Sequence, residues 1–188
     1  MALDIEREKR VKAEFDRALR RPDRQFQRIL PPYYSVPDFR DGATSQHILA
    51  LFAVDKSPRY QPQNVDGRTV TFCNIFMWDW SIAMRAELPH FVDGKELVIN
   101  QTIDRLRNGK EDGWHDCGQD DAQAMAKTGM PVIVTWYNPN RGPGHVAVVQ
   151  PEKKLTVAQA GRICGYGLSL SAAFGAQRLD SLQYWYHV

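Results

Sequence analysis

Cys73 and His145 are the side chains in this chain whose types and settings suit acyl transfer. Cys73 stands in Thr71-Phe72-Cys73-Asn74-Ile75-Phe76-Met77-Trp78, after the turn-rich Asn64-Val65-Asp66-Gly67-Arg68 and ahead of a helix-like apolar pattern. A cysteine that opens a buried helix meets free backbone N–H groups and the positive end of the helix dipole, which favour a thiolate. Iodoacetamide at neutral pH is therefore expected to label Cys73 ahead of Cys117 and Cys164. His145 follows Gly142-Pro143-Gly144 and begins the apolar run Val146-Ala147-Val148-Val149. Little bulk precedes it, and it sits where a strand would start. A cysteine hydrolase needs a thiol nucleophile, a histidine that takes and returns the proton, and a polar group that orients the imidazole. It also needs N–H donors for the oxyanion, which the Cys73 backbone supplies in part.

Strand parity decides which polar group can orient the ring. His145, Ala147 and Val149 share one face of a strand, and Gln150 points to the other. In the next apolar run, Leu155, Val157 and Gln159 share a face. Gln159 reaches the His145 face if the connection holds an odd number of residues or a bulge shifts the register. A glutamine between Val157-Ala158 and Ala160 needs a buried partner, and either an imidazole N–H or the backbone would serve.

The elements that must position these groups change period midway along the chain. Val11, Phe15 and Leu19 form a narrow stripe on a charged helix from about residue 3 to 20, read as docked on the domain rather than as a membrane-surface helix. Pro31-Pro32, Pro37 and Gly42 make a loop, and Ser45 is the expected cap of a short helix through Phe52. Arg59-Tyr60, in the next loop, suits packing over the site or ligand binding, and nothing local decides between them. The Cys73 helix is expected to run to about Arg85, with Cys73, Phe76, Met77, Trp80 and Met84 on its core face. Asp79 lies off that face and suits a bond to backbone or to an arginine. A helix from Asn100 to Leu106 stops at Asn108-Gly109, and Asp120 or Asp121 is the expected cap of another that closes at Gly129. Strands follow over 131–136, 145–150, 155–160 and 182–188. Helices first and antiparallel strands after make an α+β fold.

The chain has 188 residues and a net charge of +2, enough for one domain and too balanced to argue for nucleic acid. Its start, Met1-Ala2-Leu3-Asp4-Ile5-Glu6, has no apolar signal region, and no run is long enough to span a bilayer. Synthesis in the cytoplasm is the expectation, with release through a holin or a secretion machine. Three irregularly spaced cysteines make no disulfide framework, and a Cys117–Cys164 bridge is disfavoured. His115 and Cys117 lack further ligands, so no metal and no cofactor are expected. Trp136 and Tyr137, which lead into the His145 loop, are the best aromatic candidates for substrate contact, with Asn74 beside the nucleophile.

These segments resemble the papain-like cell-wall peptidases, the NlpC-type superfamily and its CHAP relatives. In that superfamily a cysteine opens a helix packed on an antiparallel sheet, and the histidine begins a strand in a Gly-His-Val pattern. The third polar residue lies on the adjacent strand. Cys73, Gly144-His145-Val146-Ala147-Val148-Val149 and Val157-Ala158-Gln159-Ala160-Gly161 match those places. The common Asp-Cys-Ser-Gly start is replaced by Phe72-Cys73-Asn74-Ile75, a variant that looks like a subgroup of phage endolysins and secreted amidases. The resemblance covers residues 65–188 and leaves residues 1–64 as a helical extension packed on the domain. It implies a papain-like fold and a monomeric peptidoglycan hydrolase with Cys73, His145 and Gln159 as its catalytic residues. Such an enzyme would cleave an amide bond of the wall peptide through a thioester. A secreted effector would also bring an immunity protein as partner. A papain-like protease, deamidase or transglutaminase acting on protein, and a non-catalytic wall-binding relative, are the alternatives.

Overall fold

The computed structural model describes residues 2–140 and 142–188, the side chains of residues 2–4 excepted. The N-terminal part is helical, with α1 (Ala2–Leu19) and α2 (Gly42–Leu51), followed by a small hairpin of β1 (Gln63–Val65) and β2 (Arg68–Val70). Next come α3 (Cys73–Ala83), a second small hairpin of β3 (Phe91–Val92) and β4 (Lys95–Glu96), and α4 (Ile99–Arg107). The rest contains β5 (Trp114–Cys117), α5 (Gln119–Lys127), β6 (Val132–Trp136), β7 (His145–Val149) and β8 (Val157–Ala160). It ends with β9 (Cys164–Leu168), α6 (Leu170–Phe174) and β10 (Leu182–His187). Six strands pair antiparallel in the order β5-β10-β6-β7-β8-β9. The fold is mixed α+β. No described helix is long and apolar enough to cross a membrane.

The sheet separates two apolar layers. Ile133, Val146, Val148, Ala158, Ala160 and Trp185 pack in one layer with α3 and the N-terminal helices. Val132, Val134, Ala147, Val149, Val157 and Tyr184 pack in the other with Ala122 and Ala126 of α5 and Phe174 of α6. This is the period-2 alternation of strands covered on both faces. Phe15, Leu19, Ile48, Leu49 and Phe52 belong to the first layer, so the N-terminal helices share the core of α3.

Two helix starts differ from expectation. Asp41 caps α2, accepting from Thr44 N at 2.9 Å, while Ser45 is buried inside the helix. The carboxylate neutralises the exposed N–H groups better than a hydroxyl one turn later. Gly118 is the N-cap of α5, and Asp120 and Asp121 lie in its first turn. Helix α3 is buried along nearly its whole surface, with Asn74 its least enclosed residue. The strands β5 and β9 escape an apolar pattern because Trp114-His115-Asp116-Cys117 and Cys164-Gly165-Tyr166-Gly167-Leu168 lie at the two sheet edges.

Inside this core sits an ion pair. Arg59 and Asp79 are both fully buried, with Arg59 Nε donating to Asp79 Oδ2 at 2.6 Å and Nη2 to Oδ1 at 3.0 Å. The Tyr60 hydroxyl donates to Asp79 Oδ2 at 2.8 Å. Arg59 also donates to the carbonyls of Arg24 (2.8 Å) and Gln27 (2.9 Å), and Gln25 Nε2 donates back to the Arg59 carbonyl at 2.9 Å. Arg59-Tyr60 therefore packs beneath α3 and joins it to the 24–27 turn. Asp79→Ala would strand the buried guanidinium and is expected to cost about 3–5 kcal/mol, measured by urea unfolding. Loss below about 1 kcal/mol would show that the guanidinium finds water or another partner.

Candidate active site

Helix α3 starts at Cys73 because Phe72 leaves helical geometry there, with no side chain capping the exposed N–H groups. The thiol lies against the backbone N–H of Val146, the second residue of β7, and against the N–H of Asn74. Cys73 is 6 % exposed, and burial pushes its thiol up to about 11 even though both N–H groups favour the anion. The expected thiolate is thus corrected: lost hydration outweighs the helix N-terminus. Burial likewise pushes Cys117 and Cys164 up to about 11. All three cysteines are free.

His145 and Gln159 do meet. His145 Nε2 lies 2.5 Å from Gln159 Oε1. Strand β7 ends at 149 and β8 begins at 157, so seven residues connect them, and pairing of Val148 with Ala158 and Val149 with Val157 puts Gln159 on the His145 face. Gln159 Nε2 donates to the Ile163 carbonyl at 2.9 Å, which turns Oε1 toward the ring. An acceptor at that position requires a proton on Nε2 and leaves the Nδ1 lone pair as the base. Burial lowers the pKa of His145, with Arg178 adding to the effect and the Gln159 bond opposing it, so the ring is neutral near pH 7. Gln150 lies on the opposite face, buried, with Oε1 accepting from Gly167 N.

Parity also separates the two halves of the site. Val146, beside the thiol, faces the α3 layer, whereas the ring of His145 lies 5.0 Å from Phe174 in the α6 layer. Thiol and imidazole approach the same end of β7 from its two faces, and among the described residues no hydrogen bond joins them.

Sequence reasoning missed the residues that hold this strand end. Asn100 of α4 donates to the Asn138 carbonyl at 2.9 Å and accepts from Asn138 N at 3.0 Å, while Asn138 Nδ2 donates to the Pro143 carbonyl at 3.2 Å. Gly144 passes so close that a Cβ there would fall 2.7 Å from the Trp136 carbonyl. At Gly161 a Cβ would stand 3.1 Å from Gln159 Nε2 and 3.2 Å from His145 Cε1. The glycine was visible in sequence as the residue after Gln159-Ala160; the Asn100 bridge spans 38 residues and has no local signal.

A cleft of about 350 Å³ opens over Cys73 and Asn74, bounded by Phe26, Val70, Val98 and Gly144. Trp136 and Tyr137 do not line it. Arg178 stacks on Trp136 at 4.1 Å and Arg107 on Tyr137 at 4.7 Å. Phe26 and Phe72 are the aromatic residues of the cleft instead. His115 pairs across to Tyr186 in the β5–β10 ladder, and among the described residues no three His, Cys, Asp or Glu side chains converge as a metal site. Comparison with protein-family models and with curated proteins returned no match.

Iodoacetamide at pH 7.5 is expected to react slowly at all three cysteines, with Cys73 not leading, and to accelerate towards pH 10. Peptide mapping by mass spectrometry checks this, and a dominant Cys73 adduct at neutral pH would reveal a stabilised thiolate. Gly161→Ala is expected to separate the His145–Gln159 pair while leaving the melting temperature within a few degrees. Histidine resonances that keep their wild-type shifts in this variant would argue that the pair tolerates the methyl group.

Proposed function

We propose that the protein is a papain-like cysteine hydrolase that cleaves an amide bond of the peptidoglycan peptide. The observation that carries this reading is the His145 Nε2 to Gln159 Oε1 contact at 2.5 Å, which leaves Nδ1 as a base at the strand end where the Cys73 thiol lies. The open cleft above Cys73 gives a peptide access to that end. The order of helix-borne cysteine, strand-opening histidine and polar residue on the neighbouring strand supports the same reading by its resemblance to the NlpC-type and CHAP enzymes.

The chemistry begins from a neutral thiol and a neutral imidazole. As Sγ attacks the carbonyl carbon, His145 Nδ1 takes the thiol proton and Gln159 Oε1 supports the imidazolium through Nε2–H. The reading requires ring and thiol to close the remaining gap around β7 when substrate binds. Backbone N–H groups at the start of α3 stabilise the oxyanion. The imidazolium gives its proton to the departing amine, leaving a thioester on Cys73. Water then attacks the thioester with His145 again as base, a carboxylic acid leaves, and the thiol is restored.

Cys73→Ala and His145→Ala are expected to abolish release of new amino groups from purified cell walls. Gln159→Ala should retain a residue of activity, reduced on the order of a hundredfold or more. Wild-type rates in the first two variants would overturn the assignment. The product distinguishes the protein-directed alternative, which would modify a protein and leave muropeptides intact. The pH profile follows from the same groups. His145 must be neutral, and its pKa is lowered below 6.5, so kcat/KM should hold through pH 6.5 and fall as the pH drops through the depressed value. With the thiol at about 11, no alkaline loss is expected below about pH 9. A narrow bell centred on pH 6 would contradict the neutral pair.

A further inference from the structure

The N-terminal extension contributes to the Cys73 cleft through one residue. Phe26 is 53 % exposed, yet the turn that carries it is tied to a buried side chain. Gln25 beside it is buried, and the carbonyls of Arg24 and Gln27 on either side accept from the fully buried Arg59. Arg59 is paired to Asp79 of α3, the helix that begins at Cys73. The Phe26 ring lies 6.0 Å from His90 with an interplanar angle of 15°, and His90 packs in turn on Trp78 of α3 at 5.3 Å. An apolar ring held rigidly but left half in water, at the edge of a cleft with Cys73 in its wall, is an unspent apolar contact. Val70 of β2 and Val98, at the start of α4, are exposed on the same cleft.

We propose that Phe26 is a substrate-contacting residue of the cleft, packing against the aliphatic part of the wall peptide next to the bond cleaved. The Arg59–Asp79 pair acts as the positioning element that keeps the ring there. This inference rests on the hydrolase reading. It brings the 24–27 turn to the substrate site through Phe26, so the extension is part of the enzyme's specificity rather than a separate accessory.

The test uses soluble muropeptides prepared from purified walls, with the full chain throughout. Phe26→Ala is expected to raise KM roughly tenfold, with kcat within about twofold and the melting temperature unchanged. Phe26→Trp should restore KM, and Phe26→Leu should restore part of it. The KM ratio should be the same at low and high salt, because the contact is apolar. The same muropeptides are titrated into Cys73→Ala and into the Cys73→Ala, Phe26→Ala double variant, following tryptophan fluorescence. Tighter binding by the single variant supports the inference even if wild-type protein releases no amine, in which case the hydrolase reading alone fails. Turnover by wild type with an unchanged KM in Phe26→Ala overturns the inference and leaves the hydrolase reading standing. Equal or undetectable binding by both Cys73→Ala proteins also overturns it, as does a defect that Phe26→Trp does not repair.

Discussion

Asp79 lies on the helix that begins with Cys73, and it is fully buried. A carboxylate in such a place demands a partner with matching geometry, since an unpaired buried charge costs several kcal/mol. Arg59 meets that demand with two bonds, and its remaining N–H groups reach two carbonyls of the 24–27 turn. One guanidinium thus sets the position of three segments: the loop before β1, the turn after α1, and helix α3. The first apolar layer, in which Phe15, Leu19 and Phe52 meet Phe76 and Trp80, fills in around that arrangement. Aromatic edges do much of the filling, with Phe52 6.2 Å and Tyr60 5.3 Å from Phe76. Hydrophobic contact is non-directional, whereas the two Arg59–Asp79 bonds require one side of the helix to face the guanidinium.

That placement determines the chemistry at the start of the helix. Burial that makes α3 a rigid support also strips water from Cys73, so the thiol is held neutral where a more open helix N-terminus would ionise it. The same dry setting keeps His145 neutral. A neutral pair carries no ionic attraction to draw thiol and ring together. Their relative position therefore depends on what anchors the strand end, which is the Asn100–Asn138 bridge and the tight passage at Gly144.

Legibility from sequence followed the range of the interaction. Apolar runs and their spacing gave α3 and the strands β6, β7, β8 and β10, because each is apolar along nearly its whole length or alternates as a strand must. Parity made the His145–Gln159 meeting depend on an odd connection or a bulge, and the seven residues between β7 and β8 meet that condition. The thiol's ionisation was misjudged, because a helix N-terminus is visible in a sequence and the depth of its burial is not. Trp136 and Tyr137 looked available for substrate because the arginines that cover them lie 30 or more residues away along the chain. Phe26 offered no signal at all: its placement at the cleft comes from Arg59 and Asp79, and the two ends of that connection share no pattern. Edge strands β5 and β9, whose polar and glycine residues are tolerated at a sheet margin, were missed for the complementary reason.

Parity also constrains where the Cys73 thiol and the His145 ring can meet. Residues one apart on a strand point to opposite faces, so a thiol at Val146 and a ring from His145 cannot meet across the middle of a sheet. They can meet only where the strand ends and its neighbours no longer fill the space. Strand β7 begins at His145, preceded by Gly144 and Pro143, and both of those residues line the cleft over Cys73. A bulky residue at position 144 would close that corner, and the contacts of its Cβ with the Trp136 carbonyl and with Asn100 leave no room for one. The glycine before the histidine is therefore a condition of packing: without a side chain it lets the start of β7 lie against Asn100 and the Trp136 carbonyl, which fixes where His145 begins the strand.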